Sequence, residues 1–176
     1  MCSQKERVMK KLLLFASFVV AALAFSNRAD AQTAFISNGT QLQYADKEWF
    51  GSTVVEAGYE FNEHWAIGVQ ASLSAHIQDA LVAGLGGGGF VRYTPTHNDV
   101  LYLDLKALAR GQYFSTDGKN MVIGISPSLR FRFAPRWEAF TDIGFFGARY
   151  ADAYGWYPLL GFNPQSAVVG ITYRFR

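Results

Sequence analysis

Along most of this chain the apolar residues fall on every second position. From Trp65 the row Trp65, Ile67, Val69, Ala71 and Leu73 is apolar, while Ala66, Gly68, Gln70, Ser72 and Ser74 between them are small or polar. A two-residue period puts alternate side chains on opposite faces of a strand, so this segment reads as a strand with one apolar and one mixed face. The segment before it repeats the pattern: Thr53, Val55, Ala57, Tyr59 and Phe61 alternate with Ser52, Val54, Glu56, Gly58 and Glu60, and Asn62-Glu63-His64 is the turn between the two. Leu85, Gly87, Gly89, Val91 and Tyr93 mark a further strand, with Phe90 and Arg92 on its other face. Leu101, Leu103, Leu105, Ala107 and Ala109 mark the next, backed by Tyr102, Asp104, Lys106 and Arg110.

The clearest hairpin follows. Ile123, Ile125, Leu129, Phe131 and Phe133 alternate with Gly124, Ser126, Ser128, Arg130 and Arg132, and Ala134-Pro135-Arg136 makes the turn. The return strand puts Trp137, Ala139, Thr141, Ile143 and Phe145 on the apolar face, against Glu138, Phe140, Asp142, Gly144 and Phe146. The last strand sets Val169, Ile171, Tyr173 and Phe175 against Gly170, Thr172, Arg174 and Arg176. A first strand near Thr40 to Ala45, with Leu42 and Tyr44 apolar, brings the count to eight, each roughly the 9 to 11 residues that a tilted strand needs to cross a bilayer. Pro127 sits mid-strand and cannot donate to a ladder, which predicts a bulge or local break in its own strand. The connections at 62–64, 94–99 and 134–136 are short, and those opposite are expected to be longer, Ala151 to Gln165 longest of all.

Ahead of the strands, Lys5, Arg7, Lys10 and Lys11 precede an apolar run from Leu12 to Phe25, and Ala29-Asp30-Ala31 offers small residues where a signal peptidase reads them. The run is short for a spanning helix, so residues 1–31 read as a cleaved signal peptide and 32–176 as one barrel domain of about 145 residues. Cys2 lies in the leader, which leaves the expected mature chain without a thiol for a disulfide, a lipid anchor or a zinc site. Processing also removes the apparent basicity: eleven basic residues then face twelve acidic ones, with no basic stripe for nucleic acid. The histidines are scattered, which predicts no metal, and nothing in the pattern calls for a cofactor.

Alternation alone does not say which face meets lipid. The aromatics decide it here, because Phe61, Trp65, Tyr93, Phe133 and Trp137 flank turns, and Tyr173 and Phe175 close the chain, as an aromatic girdle at a membrane interface would. The fold predicted is therefore all-β: a transmembrane up-and-down antiparallel β-barrel of eight strands with its mixed face inside. Its lumen should be filled by an ion-pair network of Glu56, Arg92, Asp104, Lys106, Arg110, Arg130, Arg132, Glu138, Asp142 and Arg174, with glycines 86, 88, 124, 144 and 170 giving the arginines room. The hairpin register sets Arg132 opposite Glu138, which predicts a salt bridge there.

The segment Gly170-Ile171-Thr172-Tyr173-Arg174-Phe175 resembles the C-terminal signal read by the outer-membrane assembly machinery. Together with Phe90-Val91-Arg92-Tyr93, it is similar to the small OmpA/OmpX-like barrel family, although Arg176 follows the aromatic where that family usually stops. The resemblance implies a monomer in the outer membrane of a Gram-negative bacterium, with membrane lipid and the assembly machinery as partners.

Three functions remain open on these residues. The first is a closed, non-enzymatic barrel with a role in envelope integrity or in surface interaction, Tyr150, Tyr154, Trp156 and Tyr157 being either an exposed patch or part of a second girdle. The second is a small porin with a narrow path through the charged lumen. The third is a lipid A-modifying enzyme, for which Ser74, His76 and Asp79 are the one candidate group; side chains so close in sequence rarely converge. His64 and His97 fall in short turns, and the glycines at 86–89 lack the helix of a phosphate-binding loop.

Overall fold

Ten strands, β1 (Thr33–Ala45), β2 (Glu48–Glu60), β3 (Trp65–Ile77), β4 (Leu81–Thr96), β5 (Leu101–Phe114), β6 (Lys119–Ala134), β7 (Trp137–Asp142), β8 (Phe145–Ala151), β9 (Gly155–Gly161) and β10 (Val169–Phe175), form one antiparallel sheet in a computed structural model. The structure describes residues 33–45, 48–77, 81–96, 100–115, 118–161 and 168–175, of which 43–45, 48, 49, 76, 77, 81 and 96 are described by their backbone alone. The expected leader, residues 1–31, lies outside the described residues.

Consecutive strands pair from β1 to β7, and β1 pairs with β10 from Ala34↔Phe175 to Thr40↔Val169, which closes the ring. β7 and β8 both lie along β6 and together make one stave; β10 pairs with β7 and β9 with β8, so they make the last. The ten strands are thus eight staves, in up-and-down order. Thr33, Phe175 and the turns at 61–64 and 135–136 share one end, called here the terminal end; the other is the loop end.

Strand propensity supports the ladder locally, since the outward rows are rich in β-branched, aromatic and leucine residues. The strands are longer than the sequence pattern predicts, at 13 to 16 residues in β1 to β6. The extra length is taken from the loop end, where the connections narrow to 46–47, 78–80, 115–118 and 152–154. The long loop expected over Ala151 to Gln165 is not there as such, because Gly155–Gly161 continues as β9 against β8. Pro158 disguises that strand in the sequence; β9 pairs only with β8 among the described residues, and a proline is tolerated on such an edge. Tyr150 and Trp156 stand on these strands with ring centroids 5.7 Å apart, and the exposed Tyr154 caps the turn between.

The irregularity predicted in the strand of Pro127 falls instead on the neighbouring stave. β6 runs through the proline unbroken, but β7 and β8 separate at Ile143 and Gly144: Ser128↔Asp142 and Phe146↔Ile125 enclose three residues on one side and two on the other. That one-residue bulge reverses which side chains face in. Phe145, expected outward, lines the lumen, and Phe146, expected inward, faces out. A smaller correction applies at the 134–136 turn: as a three-residue turn it would pair Phe133 with Trp137, but after a register shift Ala134 takes that place.

Ile36, Val55, Leu73, Leu85, Val91, Leu105, Ile123, Ile125, Phe131 and Ile171 are exposed on the outside. Among the outward strand positions whose side chains are described, only Lys119, at the loop-end start of β6, is charged. The charged residues instead fill the centre: Asp104 and Glu138 have no accessible surface, and Arg130 has 1%. Water would favour the reverse arrangement, so this is a transmembrane barrel. Lipid contact makes Ile125→Arg costly, by about 2–4 kcal/mol at mid-membrane. Urea unfolding from lipid vesicles should show that loss; a barrel solvated on its outside would show almost none.

Candidate functional site in the lumen

Together the inner rows of the staves bring a mixture of small, aromatic and charged side chains to the axis. The aromatics come first in space at the terminal end, where Phe35 on β1 packs with Ala66 and Phe90. Their rings need glycine beside them: a Cβ at Gly58 would fall 2.5 Å from Phe35, and Gly68 and Gly170 make the same room for Phe90 and Phe140. This corrects the expected use of the inward glycines. Gly86 lies against Gln112 and Ser72, Gly124 against Phe145 and Gly170 against Phe140, so these three accommodate neutral side chains rather than arginines.

The cations stack on those rings. Arg92 lies over Phe35 at 4.5 Å and Arg130 over Phe140 at 4.9 Å from the ring centres, distances at which a cation is attracted to a π face.

Around them runs a closed circuit of alternating charge. Arg92 on β4 binds Glu60 on β2 and, at 3.4 Å, Asp104 on β5. Asp104 also holds Arg130 on β6, which lies 3.7 Å from Glu138 on β7. Glu138 takes Arg174 on β10 at 2.9 Å, and Arg174 returns to Glu60 at 3.0 Å. Six charges on six different staves are thus joined in a loop. Arg132, opposite Glu138 in register, adds a contact at 3.1 Å. Neutral groups complete the ring: Thr94 donates to Asp104 at 2.5 Å, Arg174 donates to the Tyr102 hydroxyl at 2.9 Å, and Arg130 donates to Thr172, which shares a hydrogen bond with Ser37.

Nearer the loop end, Lys106 spans the barrel between Glu56 at 2.8 Å and Asp142 at 3.5 Å, and Ser128 donates to Asp142 at 2.6 Å. Beyond this bridge the filling thins into a cavity of about 520 Å³. Gln41, Gln70, Gln112, Arg110 and Arg149 supply part of its polar wall, the paired Glu56, Lys106 and Asp142 line it on the bridge side, and Val54, Phe140, Phe145 and Leu159 make part of its apolar wall.

Of the ten charged residues read from the sequence, nine are brought into ion pairs. Arg110 is the exception, with no ion pair or hydrogen bond among the described residues. Two lumen charges escaped the sequence reading. Glu60 stands opposite the neutral Ala66 in register, so strand pairing gives no sign of partners two staves away on either side. Arg149 is turned inward by the bulge at 143–144. The girdle residues assemble on the outer surface of the terminal end, with Trp65 4.7 Å from Tyr93, Trp137 4.8 Å from Tyr173, and Tyr173 5.0 Å from Phe175. Phe61 and Phe133 are exposed beside them.

Of the candidate acyl-transfer group, Ser74 is buried and receives a hydrogen bond from Gln112 at 3.3 Å; the His76 side chain and Asp79 lie outside the described residues. His64 contacts the Thr94 carbonyl in a terminal-end turn at 2.8 Å, and His97 lies outside the described residues. No cluster of three or more His, Cys, Asp or Glu suited to a metal occurs among the described residues.

No family model and no curated protein matches the chain. Among solved structures it is similar to a de novo designed transmembrane β-barrel (14% identity, TM-score 0.45, 84% of this chain and 98% of that one) and to the designed barrel TMB2.3 in solution (13%, 0.45, 85% and 99%). It is also similar to OmpT, an outer membrane protein of Vibrio cholerae, at 10% identity and a TM-score of 0.33 over 84% of this chain and 53% of that one. The fold rests on the strand pairing, not on these likenesses.

Removing one partner of a buried ion pair strands the other. Glu138→Ala leaves Arg130 and Arg174 each short of an anion and should cost about 3–5 kcal/mol in denaturant unfolding from vesicles. Arg132→Ala, which leaves Glu138 with two other arginines, should cost clearly less.

Proposed function

We propose that this protein is a closed, non-enzymatic barrel of the bacterial outer membrane, with a structural role in the envelope. The observation that carries this reading is the charge circuit, whose members Asp104 and Glu138 have no accessible surface. An eight-stave barrel is just wide enough to be filled by its own side chains, and here the terminal half is filled by tightly paired ones. Opening a path for ions at that level would require separating several buried pairs at once, which disfavours a small porin.

A role in the envelope also fits the loop end, where the strands leave two to four residues between them at 46–47, 78–80, 115–118 and 152–154. Tyr150 and Trp156 project from paired strands and extend the outer apolar surface, as a second interfacial girdle would. Outer-membrane lipid is the expected partner along the whole belt, and β10, ending in Tyr173 and Phe175, is the segment offered to the assembly machinery. The protein is expected to act as a monomer.

Two measurements test this. The protein should fractionate with outer membranes and migrate differently on gels before and after heating. In planar bilayers it should give no steady openings; regular conductance steps altered by Arg132→Ala or Glu138→Ala would establish the porin instead. Altered lipid A in cells expressing the protein, lost on His76→Ala, would establish the enzyme.

A further inference from the structure

Among the described residues the lumen is not electrically balanced along its length. The five lumen carboxylates described, Glu56, Glu60, Asp104, Glu138 and Asp142, are all bound by Arg92, Lys106, Arg130, Arg132 and Arg174. Arg110 and Arg149 remain. Both line the loop-end cavity, and the Nε of each is buried without a hydrogen-bond partner. Both lie in register with Val122, on β5 and β8 at either side of it. Of the charges around Arg110, Arg149 acts on it most strongly, ahead of Asp142 and Glu56, which are already engaged with Lys106.

Two like charges held close together, each half-buried with its Nε shielded, are unfavourable unless an anion joins them. Guanidinium groups also present a planar fork of donors that matches a phosphate or carboxylate with two parallel bonds. The space in front of them is within the range that holds a small ligand, and its walls are divided. Gln41, Gln70 and Gln112 add neutral polar groups, while Val54, Leu108, Phe140, Phe145 and Leu159 make an apolar lining.

We infer that the loop-end cavity is a binding site for an oxyanion carried on a partly apolar molecule, with Arg110 and Arg149 as its charged clamp. The phosphate of an amphiphile and a free phosphate share the group that the arginines recognise; the apolar lining favours the amphiphile. The inference goes beyond the structural role proposed above and does not depend on whether the barrel conducts.

The test is calorimetric titration of the full-length protein, purified in a nonionic detergent, with hexyl phosphate and, separately, with inorganic phosphate. Hexyl phosphate should bind saturably, one per barrel, and the double variant Arg110→Gln/Arg149→Gln should weaken it at least tenfold. Lys119→Gln, at the rim, should leave it unchanged. Equal binding of inorganic phosphate would support the clamp with a free ion as its ligand, and its failure to bind would support the amphiphile. Absence of binding by both, or binding that the double variant retains, would overturn the proposal. A folding defect is separable, because replacing unpaired charges should leave heat-dependent gel mobility intact and heat resistance equal or higher. If the double variant instead proves less heat-resistant, the two arginines are held by groups within the barrel and the proposal is wrong.

Discussion

The circuit Glu60, Arg92, Asp104, Arg130, Glu138 and Arg174 ties the barrel together across its own interior. Backbone pairing joins each stave only to its two neighbours, so it leaves the inner faces free to slide or re-pair. A loop of alternating charge on six staves removes that freedom, because a shift of one residue would turn an arginine to lipid and strand its carboxylate. Either error costs several kcal/mol, which makes the polar interior a device for register. The phenylalanines serve the same end. They fill the space that small inward residues leave, and they give Arg92 and Arg130 a π face on the side where no carboxylate reaches.

The interior is graded along the axis. At the terminal end aromatic rings and the charge circuit occupy the lumen together, and side chains of opposite sign match. Lys106 with Glu56 and Asp142 marks the last fully paired level. Among the described residues, two arginines and three glutamines supply charged and amide groups to the cavity beyond it. The outside is graded too, from the ring of Trp65, Tyr93, Trp137, Tyr173 and Phe175, through an aliphatic belt, to Tyr150 and Trp156. The inner and outer gradients arise from the same strands, read on alternate residues.

One proline connects the two surfaces. Pro127 lacks an N–H for the ladder, and the stave beside it accommodates the lost bond with an extra residue between Asp142 and Phe146. Ile143 donates instead to the Pro127 carbonyl at 2.9 Å, and Ser126 donates to the Gly144 carbonyl at 3.0 Å. The change of parity that results sends Arg149 into the lumen. Without the bulge, the same alternation would point Arg149 at lipid.

The amino-acid sequence by itself determined the local facts: the two-residue period, which face is apolar in the strands before the bulge and in the last one, the turns near 62–64 and 134–136, the eight staves, and the opposition of Arg132 to Glu138 across a hairpin. All of these involve residues within one strand or one turn of each other, where periodicity and register are enough. The tertiary structure decided what depends on staves that are not neighbours. Glu60 reaches Arg92 across an intervening stave and finds Arg174 only because β1 closes onto β10, and Phe35 joins Phe90 only because β1 begins earlier than its weak pattern suggests. β9 hides behind a proline that an edge permits, and the fate of Arg149 turns on a bulge opposite another proline. Closure brings together side chains that no ladder pairs, and a single inserted residue reverses a face, so neither can be read from alternation alone.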